Sequence, residues 1–248
     1  RQVLVGAVGV APALRHQIAR RMAAAGARVH PDETIITNGC QEALTLALQS
    51  VTRPGDIVAL ESPTFYGLLQ VIESLGLKAL EIPTHPRTGL SLEALQLALE
   101  QWPVKACVVV PNFSNPLGHC MSDAQKQALV ELTARYDVPL IEDDIYGDLG
   151  HHHQRPGMAK AFDAAGNVLY CSSVSKTLSP GLRVGWIVPG RFREQVLYRK
   201  YVTNLATATV PQLAVADLLE SGRYDRHLRT LRGELARAVQ RMTARVSL

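Results

Sequence analysis

Short apolar runs recur along the chain, and helical patterns stand between most of them. Thr34-Ile35-Ile36-Thr37, Ile57-Val58-Ala59-Leu60, Ala79-Leu80-Glu81-Ile82, Ala106-Cys107-Val108-Val109-Val110, Pro139-Leu140-Ile141-Glu142, Val168-Leu169-Tyr170-Cys171 and Val184-Gly185-Trp186-Ile187-Val188 read as strands. Pro12 to Gly26 reads as an amphipathic helix, with Leu14, Ile18 and Met22 four apart and Gly26 as its stop. Gln41 to Ser50, Gly67 to Leu75, Leu92 to Gln101 and Ser122 to Tyr136 are helical patterns lying between strands. Such alternation predicts an α/β fold, a mostly parallel sheet covered by helices on both faces. From Tyr224 onward, Leu228, Leu231, Leu235, Val239, Met242 and Val246 recur at helical spacing. We therefore expect one large domain over residues 1–223 and a long helix over 224–248 that leads to a further segment. Internal repeats, low-complexity tracts and Gly/Ser linkers are absent from the sequence.

Open parallel sheets bind ligands beyond the carboxyl ends of their strands. Asn38-Gly39-Cys40, Ser62-Pro63-Thr64-Phe65, Asn112 to Asn115, Asp143 and Ser173 all fall at such ends. Between Ser172 and Trp186, Lys176 sits among small hydroxyls and Arg183 follows seven residues later. A lysine in such a turn can form a Schiff base with a carbonyl, while serine hydroxyls and a guanidinium hold a phosphate dianion. The cofactor that needs both is pyridoxal 5'-phosphate (PLP). It also needs an acid for its pyridinium nitrogen, and Glu142, Asp143 and Asp144 are candidates at the end of an apolar run. Gly39-Cys40-Gln41 opens a helix directly after a strand, so its backbone amides offer a phosphate cradle.

Composition narrows the alternatives. The 248 residues are 47% hydrophobic, enough for one large core. The net charge is +4, but the basic residues neither cluster nor alternate with aromatics, which argues for a solvated surface rather than a nucleic-acid face on this segment. Cys40, Cys107, Cys120 and Cys171 lack CxxC spacing, which suits reduced thiols and argues against disulfides and structural zinc. The three consecutive histidines His151, His152 and His153 would point in different directions, so no metal site is expected there. Neither GxGxxG nor GxxxxGK[ST] occurs. No apolar run approaches bilayer length and Arg1-Gln2-Val3-Leu4 lacks a signal-peptide layout, so the expectation is a soluble, cytoplasmic protein with no membrane partner.

The ordered segments Thr37 to Leu44, Glu61 to Gly67, Pro111 to Gly118, Glu142 to Leu149 and Gly222 to Arg229 resemble the fold type I, aspartate aminotransferase-like PLP superfamily. More narrowly, they resemble the PLP-binding domain of MocR-type regulators of the GntR family. The resemblance implies that Lys176 carries PLP as a Schiff base and shuttles protons. Arg183, Ser173 and Ser175 would hold the phosphate with Gly39, Cys40 and Gln41. Asp143 would pair with the pyridinium nitrogen, leaving Glu142 and Asp144 to solvent contact, capping or an ion pair. Tyr146 and Asn115 would share the phenolic oxygen, and Phe65 would stack on the ring.

Val174 stands where the family commonly has phenylalanine. The resemblance further implies a winged-helix DNA-binding domain before this segment and a small domain after it, the latter bearing the arginine that binds a substrate carboxylate. Two functions stay open. In one, the segment senses an amino acid or other amino-group ligand for a transcriptional regulator that binds DNA only through its N-terminal domain. In the other, it is the core of an active amino acid aminotransferase. A homodimer is implied in either case.

Overall fold

In a computed structural model the chain is described over residues 12–150 and 155–246, and His151–His153 lie outside the described residues. Among the described residues eight strands form one sheet: β1 Ile35–Thr37, β2 Ile57–Ser62, β3 Lys78–His85, β4 Gly89–Leu90, β5 Val104–Val109, β6 Leu140–Asp143, β7 Val168–Ser173 and β8 Gly185–Val188. Their order is β1-β8-β7-β6-β5-β2-β3-β4. The five strands from β7 to β3 are parallel neighbours, while β8 runs antiparallel to both β1 and β7, and β4 to β3. The helices are α1 Pro12–Ala24, α2 Cys40–Val51, α3 Tyr66–Ser74, α4 Leu92–Gln101, α5 Asp123–Arg135, α6 Arg193–Asn204, α7 Thr209–Glu220 and α8 Arg223–Val246.

Period-two alternation along the strands divides the core into two layers. Val58, Leu60, Val108, Ile141, Leu169, Cys171 and Ile187 face α2, α3 and α6. Ala59, Cys107, Val109, Leu140 and Val168 face α4 and α5, and Ile36, Tyr170 and Val188 continue that face under α1 and α7. The sheet is thus covered on both faces, as its near-continuous apolar strands require. All seven expected strands form.

Two helices escaped the sequence reading. α6 buries only Val196, Leu197 and Lys200, too thin a stripe to stand out from its polar residues. α7 carries Pro211 in its first turn and leaves Val210 and Leu213 exposed, which blurs its periodicity. The two-residue strand β4 gives no periodic signal at all. Among the described residues no helix is long and apolar enough to cross a membrane.

Caps fix where the helices begin. Ser91 accepts the Ala94 amide at the head of α4, and Ser122 with Gln125 forms a capping box on α5. At α2 the cap is Gly39, with φ of 84°, and no side chain satisfies the first amides. That helix therefore presents free N–H groups at the sheet edge.

Candidate cofactor site

Cross-strand register gathers the site. Thr37 at the end of β1 pairs with Gly185, which pairs in turn with Ser173 at the end of β7; Asp143 at the end of β6 pairs with Cys171. The loops leaving β1, β6 and β7 therefore open on one edge, together with those after β2 and β5. They enclose a cleft of about 190 Å³ lined by Cys40, Gln41, Leu44, Phe65, Val110, Asn115, Asp143, Ile145, Tyr146, Ser175, Lys176, Pro180 and Arg183.

At one end lie the free amides of α2 and the Arg183 guanidinium. Arg183 takes a left-handed backbone with φ of 51° and donates to the Asn38 carbonyl (2.6 Å) and the Pro180 carbonyl (3.3 Å). Two glycines make this close approach possible. A Cβ on Gly39 would fall 2.5 Å from Arg183 Nη2, and a Cβ on Gly185 would fall 2.5 Å from the Gly39 carbonyl carbon. A cation and a helix N-terminus thus converge on one point, an arrangement suited to a dianion. Ser175 faces the same cleft, whereas the Ser173 hydroxyl turns inward to accept the Ser175 amide (3.2 Å) and does not line it.

Asp143 forms the floor. Its carboxylate accepts from the Cys40 thiol (3.3 Å) and the Ile145 amide (3.2 Å), with no cation beside it among the described residues. Burial pushes its pKa up to about 6 against the opposing pull of those two donors, with the Asp144 and Glu61 carboxylates adding to the rise. Burial likewise holds the Cys40 thiol well above its ordinary range. A buried carboxylate without a cationic partner suits a ligand that brings a positive N–H group.

The neighbouring acids are engaged elsewhere, and neither contacts solvent. Glu142 caps the turn Ala159–Phe162 by accepting the amides of Ala159 and Lys160 (both 2.8 Å). Asp144 is ion-paired to Arg155 and accepts from Tyr170 and Asn112. The pleat explains the division. Glu142 points to the face opposite α2, and Asp143 shares the α2 face with Ile141.

On the remaining walls, Asn115 Nδ2 donates to the Tyr146 hydroxyl (3.4 Å), joining the loops after β5 and β6. Phe65, half-buried, packs over Gly67, where a Cβ would fall 2.4 Å from the ring. Gln41 Nε2 donates to the Gly67 carbonyl (3.2 Å) and so ties α2 to α3. Lys176 is exposed at the cleft and has no hydrogen-bond or ion-pair partner among the described residues. Leu44, Val110, Ile145 and Pro180 complete the apolar lining and were not anticipated; Ile145, between Asp143 and Tyr146, could have been inferred from its position. All four cysteines are free, with Cys40, Cys107 and Cys171 buried, and no cluster of potential metal ligands occurs among the described residues.

The profile of class I and II aminotransferases matches residues 4–247. The chain belongs to that family. Among aminotransferase-family relatives, the HTH-type transcriptional regulators YjiR and YdcR of Escherichia coli strain K12 are 48% and 47% identical to it, over 88% and 92% of this chain. They are longer, and the chain covers 47% and 49% of them, so it spans about half the length of the curated relatives it matches. Among solved structures, the α-aminoadipate aminotransferase LysN of Thermus thermophilus, complexed with a phosphopyridoxyl-leucine, superposes with a TM-score of 0.85. The two chains are 29% identical, and the match covers 96% of this chain and 61% of LysN. The fold is that of fold type I PLP aminotransferases.

Proposed function

We propose that this chain is the PLP-binding, ligand-sensing domain of a MocR/GntR-type transcriptional regulator. One observation carries the cofactor assignment: a buried, cation-free carboxylate, Asp143, faces a cleft whose other walls hold a lone amine, Lys176, and an uncapped helix N-terminus beside Arg183. Each of these features has a counterpart on PLP, and no smaller anion would need all three.

When bound, PLP supplies an aldehyde that accepts amines and a cationic ring that withdraws electrons from the amine's α-carbon. The first amides of α2, Arg183 and Ser175 would bind the phosphate. Asp143 would hold a proton on the ring nitrogen, and the Asn115–Tyr146 pair would orient the phenolic oxygen. Phe65 would cover the ring and exclude water. Lys176 Nζ would hold the aldehyde and, as a free amine, would accept a proton.

The relatives named as HTH-type regulators support sensing over turnover. In that reading an amino compound binds one conformer better than another, and a DNA-binding domain elsewhere in the longer protein reads the shift. A homodimer accords with the apolar surface on and between α6 and α7, where Tyr198, Val202, Leu205, Val210 and Leu213 are each at least half exposed. A cytoplasmic location accords with DNA as the target.

The test is a visible spectrum of the full-length protein titrated with PLP and then with a panel of amino acids. A visible band that Lys176→Ala abolishes, followed by an amine-dependent change in DNA affinity without release of a keto acid, is the expected result. Keto acid release would make it an aminotransferase. Absence of the band, or a borohydride-fixed pyridoxyl label surviving in Lys176→Ala, would sink the cofactor assignment.

A further inference from the structure

The segment Gly222 to Arg229 belongs to none of the cofactor contacts above, yet it lies against the two turns that carry Lys176 and Tyr146. Tyr224, buried at the head of α8, places its hydroxyl 2.9 Å from Asp148 Oδ2 and 3.0 Å from Thr177 Oγ1. Its single proton serves the carboxylate, and the Thr177 hydroxyl can donate to the phenol oxygen in return. One turn along α8, His227 Nε2 lies 2.8 Å from the Thr177 carbonyl. Arg232 Nε donates to the Asp148 carbonyl (2.6 Å). Thr177 is the residue after Lys176, and Asp148 sits in the single 3-10 turn that Tyr146 opens.

Asp148 is held from further sides. Arg21 of α1 reaches it at 3.1 Å and Arg155 at 2.8 Å, and Arg21 also stacks on the Tyr224 ring, 4.5 Å from its centroid, while pairing with Asp225. These cations hold the Asp148 carboxyl below its usual range despite its burial. The hydroxyl of Tyr224 is therefore fixed to an anchor that two arginines hold in place. Within the lysine turn itself, the Thr177 and Leu178 amides donate to the Val174 carbonyl, the Thr177 hydroxyl lies 3.4 Å from that same carbonyl, the Ser175 amide donates to Ser173 Oγ, and the Val174 amide ties the turn to the Val184 carbonyl.

We propose that the head of α8 is a positioning clamp: Tyr224 and His227 hold the Lys176 turn, Tyr224 and Arg232 hold the Tyr146 turn, and the placement of α8 sets the spacing of these two cofactor-facing residues. The inference rests on the PLP reading only in what the spacing is for. A ligand that draws Lys176 or Tyr146 to a new position must move α8 or break the clamp, so the helix reports the state of the cleft. Tyr224, His227 and Arg232 are positioning residues, since none of them lines the cleft.

The experiment is amide hydrogen exchange on the cofactor-free protein, comparing Tyr224→Phe, Thr177→Val and the double variant. Tyr224→Phe should speed exchange by about fivefold at residues 174–178 and 146–149 together, the effect of losing one buried hydrogen bond. Thr177→Val should do so at 174–178, and the double variant should fall short of the product of the two single effects by about twofold or more. Loaded with PLP, Tyr224→Phe should also release the cofactor to hydroxylamine several times faster than wild type, with its phosphate contacts intact. Unchanged exchange in both turns, or fully additive effects, would overturn the clamp. If Tyr224→Phe fails to fold, His227→Leu, which has no donor for the Thr177 carbonyl, asks the same question of 174–178. A wild-type protein that binds no PLP would remove the cofactor reading and leave the exchange result to decide the clamp.

Discussion

The thiol of Cys40 donates to Asp143 Oδ1 across 3.3 Å, from the first residue of α2 to the last of β6. The contact joins the α2 end of the cleft to its acidic floor, and among the described residues it is one of two hydrogen bonds that favour the ionised form of that carboxyl. The other comes from the Ile145 amide. Removing the thiol with Cys40→Ala should raise the Asp143 pKa above its value of about 6. Measured as PLP affinity against pH, the acid limb of the profile should move upward in the variant. A profile that stays in place would show that the thiol does not tune the carboxylate.

Asp143 also has a consequence for the cofactor-free protein. Its pKa rises from an ordinary 3.8 to about 6 on folding, so the folded state binds more protons than the unfolded one between those values. Stability is then highest below pH 4 with respect to this group and falls as pH rises through about 6. Above that, the buried charge costs on the order of 3 kcal/mol. Asp143→Asn should accordingly raise the melting temperature of the cofactor-free protein at pH 8 and leave it nearly unchanged at pH 4. The same variant should weaken PLP binding. An apo protein no more stable at pH 8 would contradict the assignment of an unpaired buried carboxylate.

Gly39 combines a positive φ with contact against Arg183. Gly39→Ala should cost roughly 1–2 kcal/mol in unfolding free energy from backbone strain alone. It should also push the guanidinium off the α2 terminus. Chemical denaturation reads the first effect, and loss of PLP affinity with pyridoxal affinity preserved reads the second.

Arg183→Ala isolates the phosphate term directly. A charge-assisted contact to a dianion is worth about 1.5–3 kcal/mol, so PLP affinity should drop by roughly ten- to a hundredfold. Pyridoxal, which lacks the phosphate, should bind both proteins alike. Equal losses for the two ligands would place the phosphate elsewhere.

Much of this site could be read from residues alone because its parts sit at strand ends, where local patterns are sharpest. Lys176, Arg183 and the Asn115–Tyr146 pair line the cleft from loops the apolar runs already bracket. The choice among Glu142, Asp143 and Asp144 was carried by motif register, yet the pleat alone could have made it, since Ile141 and Asp143 must share a face. A hydroxyl at a strand end can turn either way, and at Ser173 it accepts the Ser175 amide. α6 and α7 were missed because burial there is sparse. The role of Tyr224 was invisible for a different reason: its partners lie 47 and 76 residues away, and no periodicity encodes a contact across that distance.

Strand order gives the sheet edge one more property. The turn into α2 leaves β1, the lysine turn leaves β7, and β8 stands between them. Neighbouring strands keep a spacing of about 4.8 Å set by backbone hydrogen bonds, so the origins of these two loops stand roughly 10 Å apart whatever side chains they carry. Asp143 on β6 is one further step along the same scale. The edge behaves as a caliper whose jaws are backbone, so substitutions in the cleft can change how strongly a ligand is gripped far more readily than what length of ligand is admitted.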